Sequence, residues 1–267
     1  MNTKLKVHFV DRALIEPTNP IEVNLIGAGG TGSNVLTGLV KINHALTTLG
    51  HAGLQVNLWD DDVVTEANLG RQLFFESETG LCKSVALINR VNRCFGMNWK
   101  AQAEKFQRTE LGRLPEQAMA TIYISCVDSV AARFEIANML RSLSGERLYR
   151  SQPKYWMDFG NSQCTGQVLL STIGKIHQPH SEKFETVAEL PFVTDMYGDL
   201  LKQSEDSDPT PSCSLAEALE KQDLFINPSL AQMGCSLLWN LFRNAVTENK
   251  GFFHNLETFV TQPIKVG

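Results

Sequence analysis

The chain has 267 residues, of which 43% are hydrophobic, and its formal net charge is −5. This length and hydrophobic content suffice for one large α/β domain with a substantial core, and they exclude a disordered chain. The acidic balance, without a block of lysine and arginine, argues against a nucleic-acid-binding face. No apolar stretch approaches the roughly 20 residues that span a bilayer.

The cysteines and the first residues indicate the compartment. The six cysteines are dispersed and form no Cys-x-x-Cys pair, so we predict no zinc site and no disulfide framework. Residues 1–6 lack the apolar core of a signal peptide. We therefore expect a cytoplasmic protein without a membrane partner.

In the first half of the chain, predicted strands alternate with predicted helices. Apolar runs and helical spacing place strands at residues 21–26, 54–59, 99–103 and 120–127, and helices at residues 31–45, 83–92 and 131–143. This alternation predicts a Rossmann-like, mostly parallel sheet with helices on both faces.

The second half of the chain is less regular. Strands are predicted at residues 155–159 and 167–173, a long loop from about 177 to 212, and helices at residues 215–219 and 231–246. We therefore expect antiparallel strands and a long loop to follow the parallel sheet.

A glycine-rich loop follows the first predicted strand and opens the next helix. Its glycines are Gly27, Gly29, Gly30 and Gly32. Glycines allow a tight turn and close approach of the backbone, and a helix N-terminus supplies N–H groups and a favourable dipole for a phosphate. The alternative is a glycine-rich turn without a ligand, but the strand–loop–helix context favours a phosphate site.

Acidic residues end the second predicted strand. Asp60 lies where a carboxylate can bond the ribose hydroxyls of a nucleotide. Asp62 can point the same way if the chain stays extended. The alternative is a solvated acidic loop, which we favour for Asp61.

A polar triplet follows these acids. Asn68, Arg71 and Gln72 are spaced i, i+3 and i+4 and would share one face of a helical turn. Arg71 can grip phosphate oxygens with two hydrogen bonds, and Asn68 can donate from its amide. The alternative is a helix cap at Asn68 and a surface ion pair at Arg71. With the glycine loop and Asp60 upstream, we expect a triphosphate site.

Lys83 and Asp128 are the next two candidate site residues along the chain, Lys83 for binding an anion and Asp128 for binding Mg²⁺. Lys83 opens a predicted helix, where the macrodipole disfavours a lysine unless an anion lies nearby. Asp128 follows the fourth predicted strand, at the carboxyl edge where ligands bind in open α/β sheets. It can bind Mg²⁺ beside a phosphate. The alternatives are a solvated lysine and a helix-capping aspartate.

Taken in order, these motifs resemble those of the ThiF/MoeB/HesA family, which includes the adenylating domain of ubiquitin-activating enzymes. The motifs G-x-G-G-x-G, D-x-D-x-V, N-L-x-R-Q, G-x-x-K and S-C-V-D-S-V-x-x-R run from about residue 21 to 133, and a looser resemblance continues through residues 158–168. The chain is most similar to the ThiF-type member of PRTRC gene systems. The resemblance implies a single adenylation domain over residues 1–267, with a nucleotide-binding half at about 18–150 and a carrier-binding, crossover-loop half at about 151–267.

The resemblance also implies an activity. Members of this family bind ATP and Mg²⁺, adenylate the C-terminal carboxylate of a ubiquitin-like protein and release pyrophosphate. Asp60 would hold the ribose, and Asn68, Arg71 and Lys83 would contact the phosphates. Asp128 would bind Mg²⁺ or position the reacting groups. The implied partners are a small β-grasp carrier, ubiquitin-like or sulfur-carrying, and a second copy of the chain in a homodimer.

Three points depart from the family pattern or extend it. Many members carry two Cys-x-x-Cys pairs for structural zinc, which this chain lacks. Many supply an arginine to the partner subunit's phosphates, and Arg12 is the candidate here. Some pass the acyl group to a cysteine, for which Cys213 is the candidate because a helix start lowers a thiol pKa. The alternative for Cys213 is a buried or incidental thiol.

Two other functions remain open. An NAD-dependent oxidoreductase would begin with the same fold, but it gives Asn68, Arg71, Lys83 and Asp128 no common role. A non-catalytic scaffold would keep the fold and bind a partner.

Overall fold

The computed structural model describes residues 4–110, 112–143, 152–205 and 222–267. Its strands are β1 (Leu5–Phe9), β2 (Ile21–Ile26), β3 (Leu54–Trp59), β4 (Lys100–Gln102), β5 (Ile122–Ser125), β6 (Tyr155–Asn161), β7 (Thr165–Thr172), β8 (Phe184–Thr186), β9 (Val246–Thr247), β10 (Asn249–Asn255) and β11 (Val260–Lys265). Its α-helices are α1 (Arg12–Ile15), α2 (Gly30–Thr48), α3 (Lys83–Phe95), α4 (Val130–Ser142), α5 (Val193–Glu205) and α6 (Ile226–Asn244).

An eight-stranded sheet in the order β11-β10-β7-β6-β5-β2-β3-β4 forms the centre of the fold. From β6 to β4 neighbouring strands are parallel, and from β6 to β11 they are antiparallel. From β2 the chain builds outward through β3 and β4, then returns to place β5 on the other side of β2. The strand order therefore reverses between β2 and β5, where open α/β sheets bind ligands at their carboxyl ends.

The sheet separates two hydrophobic cores, because alternate strand residues point to opposite faces. Leu25 and Leu58 belong to the core that also contains the buried apolar side chains of α2, α3 and α6. Trp59, Tyr123 and Trp156 belong to the core that contains those of α4 and α5. The predicted fold class, a mostly parallel sheet with helices on both faces followed by antiparallel strands, is confirmed.

A second, three-stranded sheet in the order β8-β1-β9 was not expected from the sequence. β1 pairs in parallel with β8 and antiparallel with β9. The N-terminal segment is thereby tied to residues about 180 and 240 positions later. No local pattern signals such pairings.

The prediction of an unbroken loop over residues 177–212 is wrong. This stretch contains β8 and the helix α5, which is bent at Tyr197, a residue with non-helical φ and ψ. Helix α6 begins five residues earlier than predicted, at Ile226 rather than 231. The predicted helix at residues 215–219 and Cys213 lie outside the described residues. Within the described ranges, no helix combines the length and apolarity needed to cross a membrane.

Candidate active site

A cavity of about 610 Å³ lies at the carboxyl ends of β2, β3 and β5, where the strand order reverses. Its wall includes Gly29 and Gly30 at the start of α2, and Ser129 and Ala131 at the start of α4. Two helix N-termini therefore border one space, and each contributes a partial positive charge. An anionic group is therefore favoured next to these two helix starts.

The glycine loop reaches this cavity because two of its residues must lack a side chain. Gly27 has φ +96°, and a Cβ there would lie 2.7 Å from the Cys126 carbonyl oxygen. A Cβ on Gly32 would lie 1.9 Å from the Gly27 carbonyl oxygen. Gly32 thus packs α2 against the loop, whereas Gly27, Gly29 and Gly30 line the cavity.

Asp60 joins the loop to the end of β3. Its Oδ2 accepts a hydrogen bond from the Ala28 amide at 2.6 Å, and its Oδ1 accepts one from the Asp62 amide at 3.0 Å. Burial raises the pKa of Asp60, while the Ala28 bond and the charge of Lys83 oppose that rise. The carboxylate lines the cavity and has lone pairs left for hydroxyl donors.

The anion that we expected beside Lys83 is a protein carboxylate. Lys83 Nζ lies 2.8 Å from Asp62 Oδ2, and the lysine side chain is 9% exposed against 68% for Asp62. The Lys83 amide also donates to the Asp62 carbonyl at 2.8 Å. Both residues line the cavity, so the ammonium group is held in its wall.

Arg71 and Gln72 also line the cavity. Arg71 Nη1 donates to Gln222 Oε1 at 3.2 Å. Arg71 Nε and Gln72 Oε1 are buried and have no hydrogen-bond partner within the described part of the chain, and burial lowers the pKa of Arg71. Buried polar atoms without partners are rare in folded proteins, and a bound polar ligand would satisfy such groups.

Asn68 differs from the expectation. Asn68 ends a 3₁₀ helix, Glu66–Asn68, and the next residue, Leu69, is extended. The prediction that Asn68 shares a helical face with Arg71 and Gln72 is therefore wrong. Asn68 Oδ1 accepts from the Thr65 amide and hydroxyl at 2.9 and 3.1 Å. Asn68 therefore caps this turn and is not part of the cavity wall. Its contact with a phosphate stays a prediction.

Asp128 is exposed and lines the cavity. The cap of α4 is the next residue, Ser129, whose Oγ accepts from the Ala132 amide at 3.2 Å. The capping role considered for Asp128 thus belongs to Ser129.

Arg12 is remote from the cavity wall of its own chain. It begins α1, its side chain is 88% exposed, and its guanidinium lies 2.7 Å from Glu16 Oε2. Its predicted role in a partner subunit stays a prediction.

A buried ion pair links α4 to β6 close to the cavity-lining residue Cys126. Arg133 Nε of α4 donates to Asp158 Oδ1 of β6 at 2.9 Å, and the Ser125 hydroxyl donates to the same oxygen at 2.6 Å. Burial raises the pKa of the neighbouring Cys126 thiol well above its ordinary value. Cys126 lines the cavity, and the raised pKa disfavours its thiolate form.

The polar residues of the cavity wall that the sequence analysis did not single out include Asn161, Gln222 and Asn227. Asn161 ends β6, so the rule that ligands bind at carboxyl strand ends would have found it. Gln222 and Asn227 flank the start of α6 as isolated amides. Nothing in their spacing distinguishes them from solvated residues.

Fold and site together define a Rossmann-like α/β protein with a polar, cation-containing cavity at its switch point. The profile of the ThiF family matches residues 1–262, and the chain belongs to this family. No curated protein matches it.

Several solved structures share the fold. SeMet PaaA has a TM-score of 0.58 and 13% identity over 92% of this chain and 64% of its own. E. coli MccB with SeMet MccA has a TM-score of 0.58 and 16% identity over 96% of this chain and 66% of its own. E. coli MccB with ATP has a TM-score of 0.54 and 14% identity over the same shares. The chain thus spans slightly less than two thirds of these proteins, and at such identities the likeness concerns the fold.

Proposed function

We propose that the protein is an ATP-dependent adenylyltransferase that activates the C-terminal carboxylate of a small ubiquitin-like or sulfur-carrier protein. One observation carries the proposal. The cavity at the switch point combines two helix N-termini with the cations Arg71 and Lys83 and with the partly buried carboxylate of Asp60. A nicotinamide enzyme needs the acid and one helix N-terminus, whereas a triphosphate also needs the cations.

The adenylation reaction requires side chains that align the reactants and stabilise charge. A carboxylate oxygen of the carrier forms a bond to the α-phosphorus of ATP, and the bond from that phosphorus to the oxygen bridging to the β-phosphate breaks. Pyrophosphate leaves with the bonding electrons, so no proton transfer is required. Nucleophile and leaving group are both anionic, and Arg71 and Lys83 offset that charge while the wall fixes the geometry.

The remaining residues take complementary roles. Asp60 accepts from the ribose hydroxyls, and the backbone of Gly29 and Gly30 approaches the phosphates. The carboxylates of Asp60, Asp62 and Asp128 line the same cavity, and such hard oxygen donors fit Mg²⁺, which is usually held by one or two carboxylates together with phosphate oxygens. Asp128 would hold the ion, which supplies charge neutralisation on the phosphates.

The partner and the subfamily rest on the sequence resemblance. A β-grasp carrier, a homodimer and a place in a PRTRC gene system belong to that proposal. One E. coli MccB structure contains ATP and another contains MccA, which supports a site for a nucleotide and a site for a second molecule on this fold.

ATP–pyrophosphate exchange tests the proposal. Exchange should require the carrier with its free C-terminal carboxylate. Arg71→Ala should lower exchange by about 10²-fold or more, because the lost charge acts on the transition state. The matched control is Arg243→Ala, which removes an exposed arginine of α6. Full exchange by Arg71→Ala with an unchanged melting temperature would contradict the assignment, and NADH binding without ATP binding would favour the oxidoreductase.

We also propose that Cys213 accepts the acyl group from the adenylate as a thioester, with release of AMP. Cys213→Ser should keep exchange and lose any reductant-sensitive adduct with the carrier. A reductant-sensitive adduct that persists in this variant excludes Cys213.

A further inference from the structure

A row of side-chain hydrogen bonds crosses one wall of the cavity. Thr31 Oγ1 lies 2.7 Å from Asn227 Oδ1, and Asn227 Nδ2 lies 2.8 Å from Gln222 Oε1. Arg71 Nη1 lies 3.2 Å from the same Gln222 oxygen. The row connects the start of α2, the start of α6 and the turn that follows Glu66–Asn68.

Arginine chemistry fixes the direction of every bond in this row. A guanidinium has donors and no acceptor, so Gln222 must present its oxygen to Arg71. Asn227 must then offer its NH₂ to that oxygen, which leaves its own oxygen for Thr31. The Thr31 hydroxyl therefore donates, and the row has one arrangement rather than several.

The row is built into the fold. Asn227 is 4% exposed, and it can reach this position because Gly30 has no side chain. A Cβ on Gly30 would lie 2.5 Å from Asn227 Nδ2. The first turn of α2 thus makes room for the amide that orients Gln222.

The chemistry of Gln222 suits the holding of a phosphate-binding arginine. Arginine has many rotamers to lose, so an arginine that is to meet a phosphate gains from a fixed partner. A carboxylate partner would compete with the phosphate for the guanidinium charge. A neutral amide oxygen fixes the side chain and leaves that charge available.

We propose that Gln222 is a positioning residue, which holds Arg71 toward the phosphates of ATP and is itself held by Asn227 and Thr31. This inference rests on the proposed function, because it requires ATP in the cavity. It adds to that function a residue about 150 positions away in the chain from the arginine on which it acts.

Calorimetric titrations with ATP and with adenosine test this role. Gln222→Met keeps the side-chain length and removes the acceptor. It should weaken ATP binding about tenfold, the size expected for one hydrogen bond to a charged group, and leave adenosine binding unchanged because adenosine has no phosphate. The control is Gln55→Met, near the start of β3 at the opposite end of the sheet. If Gln222→Met fails to fold, Gln222→Ser removes the acceptor by shortening the side chain.

A double-mutant cycle with Arg71→Ala separates positioning from general stability. If Gln222 acts through Arg71, Gln222→Met has no further effect on ATP binding in the Arg71→Ala background. The inference is overturned if ATP and adenosine weaken equally, if Gln222→Met has no effect, or if its effect persists undiminished without Arg71. Absence of ATP binding to the unaltered protein would overturn the proposed function as well. Tight ATP binding that depends on Arg71 and not on Gln222 would overturn the inference alone.

Discussion

At the residue scale, the glycines of the loop serve different ends. Gly27 adopts a positive φ that favours glycine, Gly30 leaves space for Asn227, and Gly32 packs against the loop. A Cβ on Gly29 would meet no heavy atom within 4 Å, although Gly29 lines the cavity. The open space beside Gly29 therefore belongs to the cavity rather than to the packing of the fold.

Gly29→Ala should consequently keep the fold and lose ligand. The added methyl group occupies space that a phosphate would need, so we expect ATP affinity to fall about tenfold or more with little change in the melting temperature. The matched control is Gly198→Ala in α5, where the nearest atom to a new Cβ is 3.5 Å away. Unchanged ATP affinity in Gly29→Ala would show that no phosphate lies against the loop.

At the scale of elements, the attachment of β1 depends on a buried histidine. His8 is 0% exposed, its Nδ1 lies 2.7 Å from the Val187 carbonyl oxygen, and its Nε2 lies 3.0 Å from the Tyr155 hydroxyl. The Val187 carbonyl can only accept, so Nδ1 donates to it, and in the neutral imidazole Nε2 accepts from the Tyr155 hydroxyl. The same hydroxyl oxygen accepts from the Asp11 amide.

The pH dependence of stability follows from this arrangement. Burial lowers the pKa of His8 below its ordinary value of 6.5, against the opposing effects of the Val187 bond and the charge of Asp11. The unfolded chain therefore binds the proton more readily than the folded chain. The contribution of His8 is complete above pH 6.5 and decreases as the pH falls toward the folded-state pKa.

We expect His8→Gln to lower the free energy of unfolding by about 1–3 kcal/mol at pH 8. The difference from the unaltered protein should shrink below pH 6.5, because glutamine does not titrate. Urea unfolding between pH 8 and pH 5 measures the free energy of unfolding of His8→Gln and of the unaltered protein. The control is His44→Gln, which replaces an exposed histidine. A difference that stays constant over this range would show that His8 does not carry the effect.

At the scale of the whole molecule, the two parts of the large sheet differ in how readily their strands follow from the sequence. The parallel strands β2, β3 and β5 are short and almost wholly buried, so apolar runs mark them. β11 is an edge strand whose residues are mostly exposed and which contains Pro263. β11 buries neither face, and therefore no alternation of apolar and polar residues marks it.

The proposed homodimer allows the role of Arg12 across the subunit interface to be tested. If Arg12 completes the partner subunit's cavity, Arg12→Ala and Arg71→Ala are each inactive in exchange. After the two variants are mixed in equal amounts, about a quarter of all sites should be complete, because about half of the dimers are mixed and each mixed dimer holds one complete site. Exchange assays after subunit mixing, with each variant alone as control, measure the recovery. No recovery in a demonstrated mixed dimer would exclude a role for Arg12 across the interface.

The sequence by itself determined the parallel fold, the glycine loop and the positions of Asp60, Lys83 and Asp128 at strand ends and a helix start that border the cavity. These features follow from local order, since a strand, its loop and the next helix are contiguous and parallel strands share one carboxyl edge. Only the tertiary structure decided that Asn68 caps its own turn, that Asp62 pairs with Lys83, and that Gln222 and Asn227 meet Arg71 and Thr31. Those contacts depend on how separate elements pack, and an isolated amide has no periodicity from which its partner can be inferred.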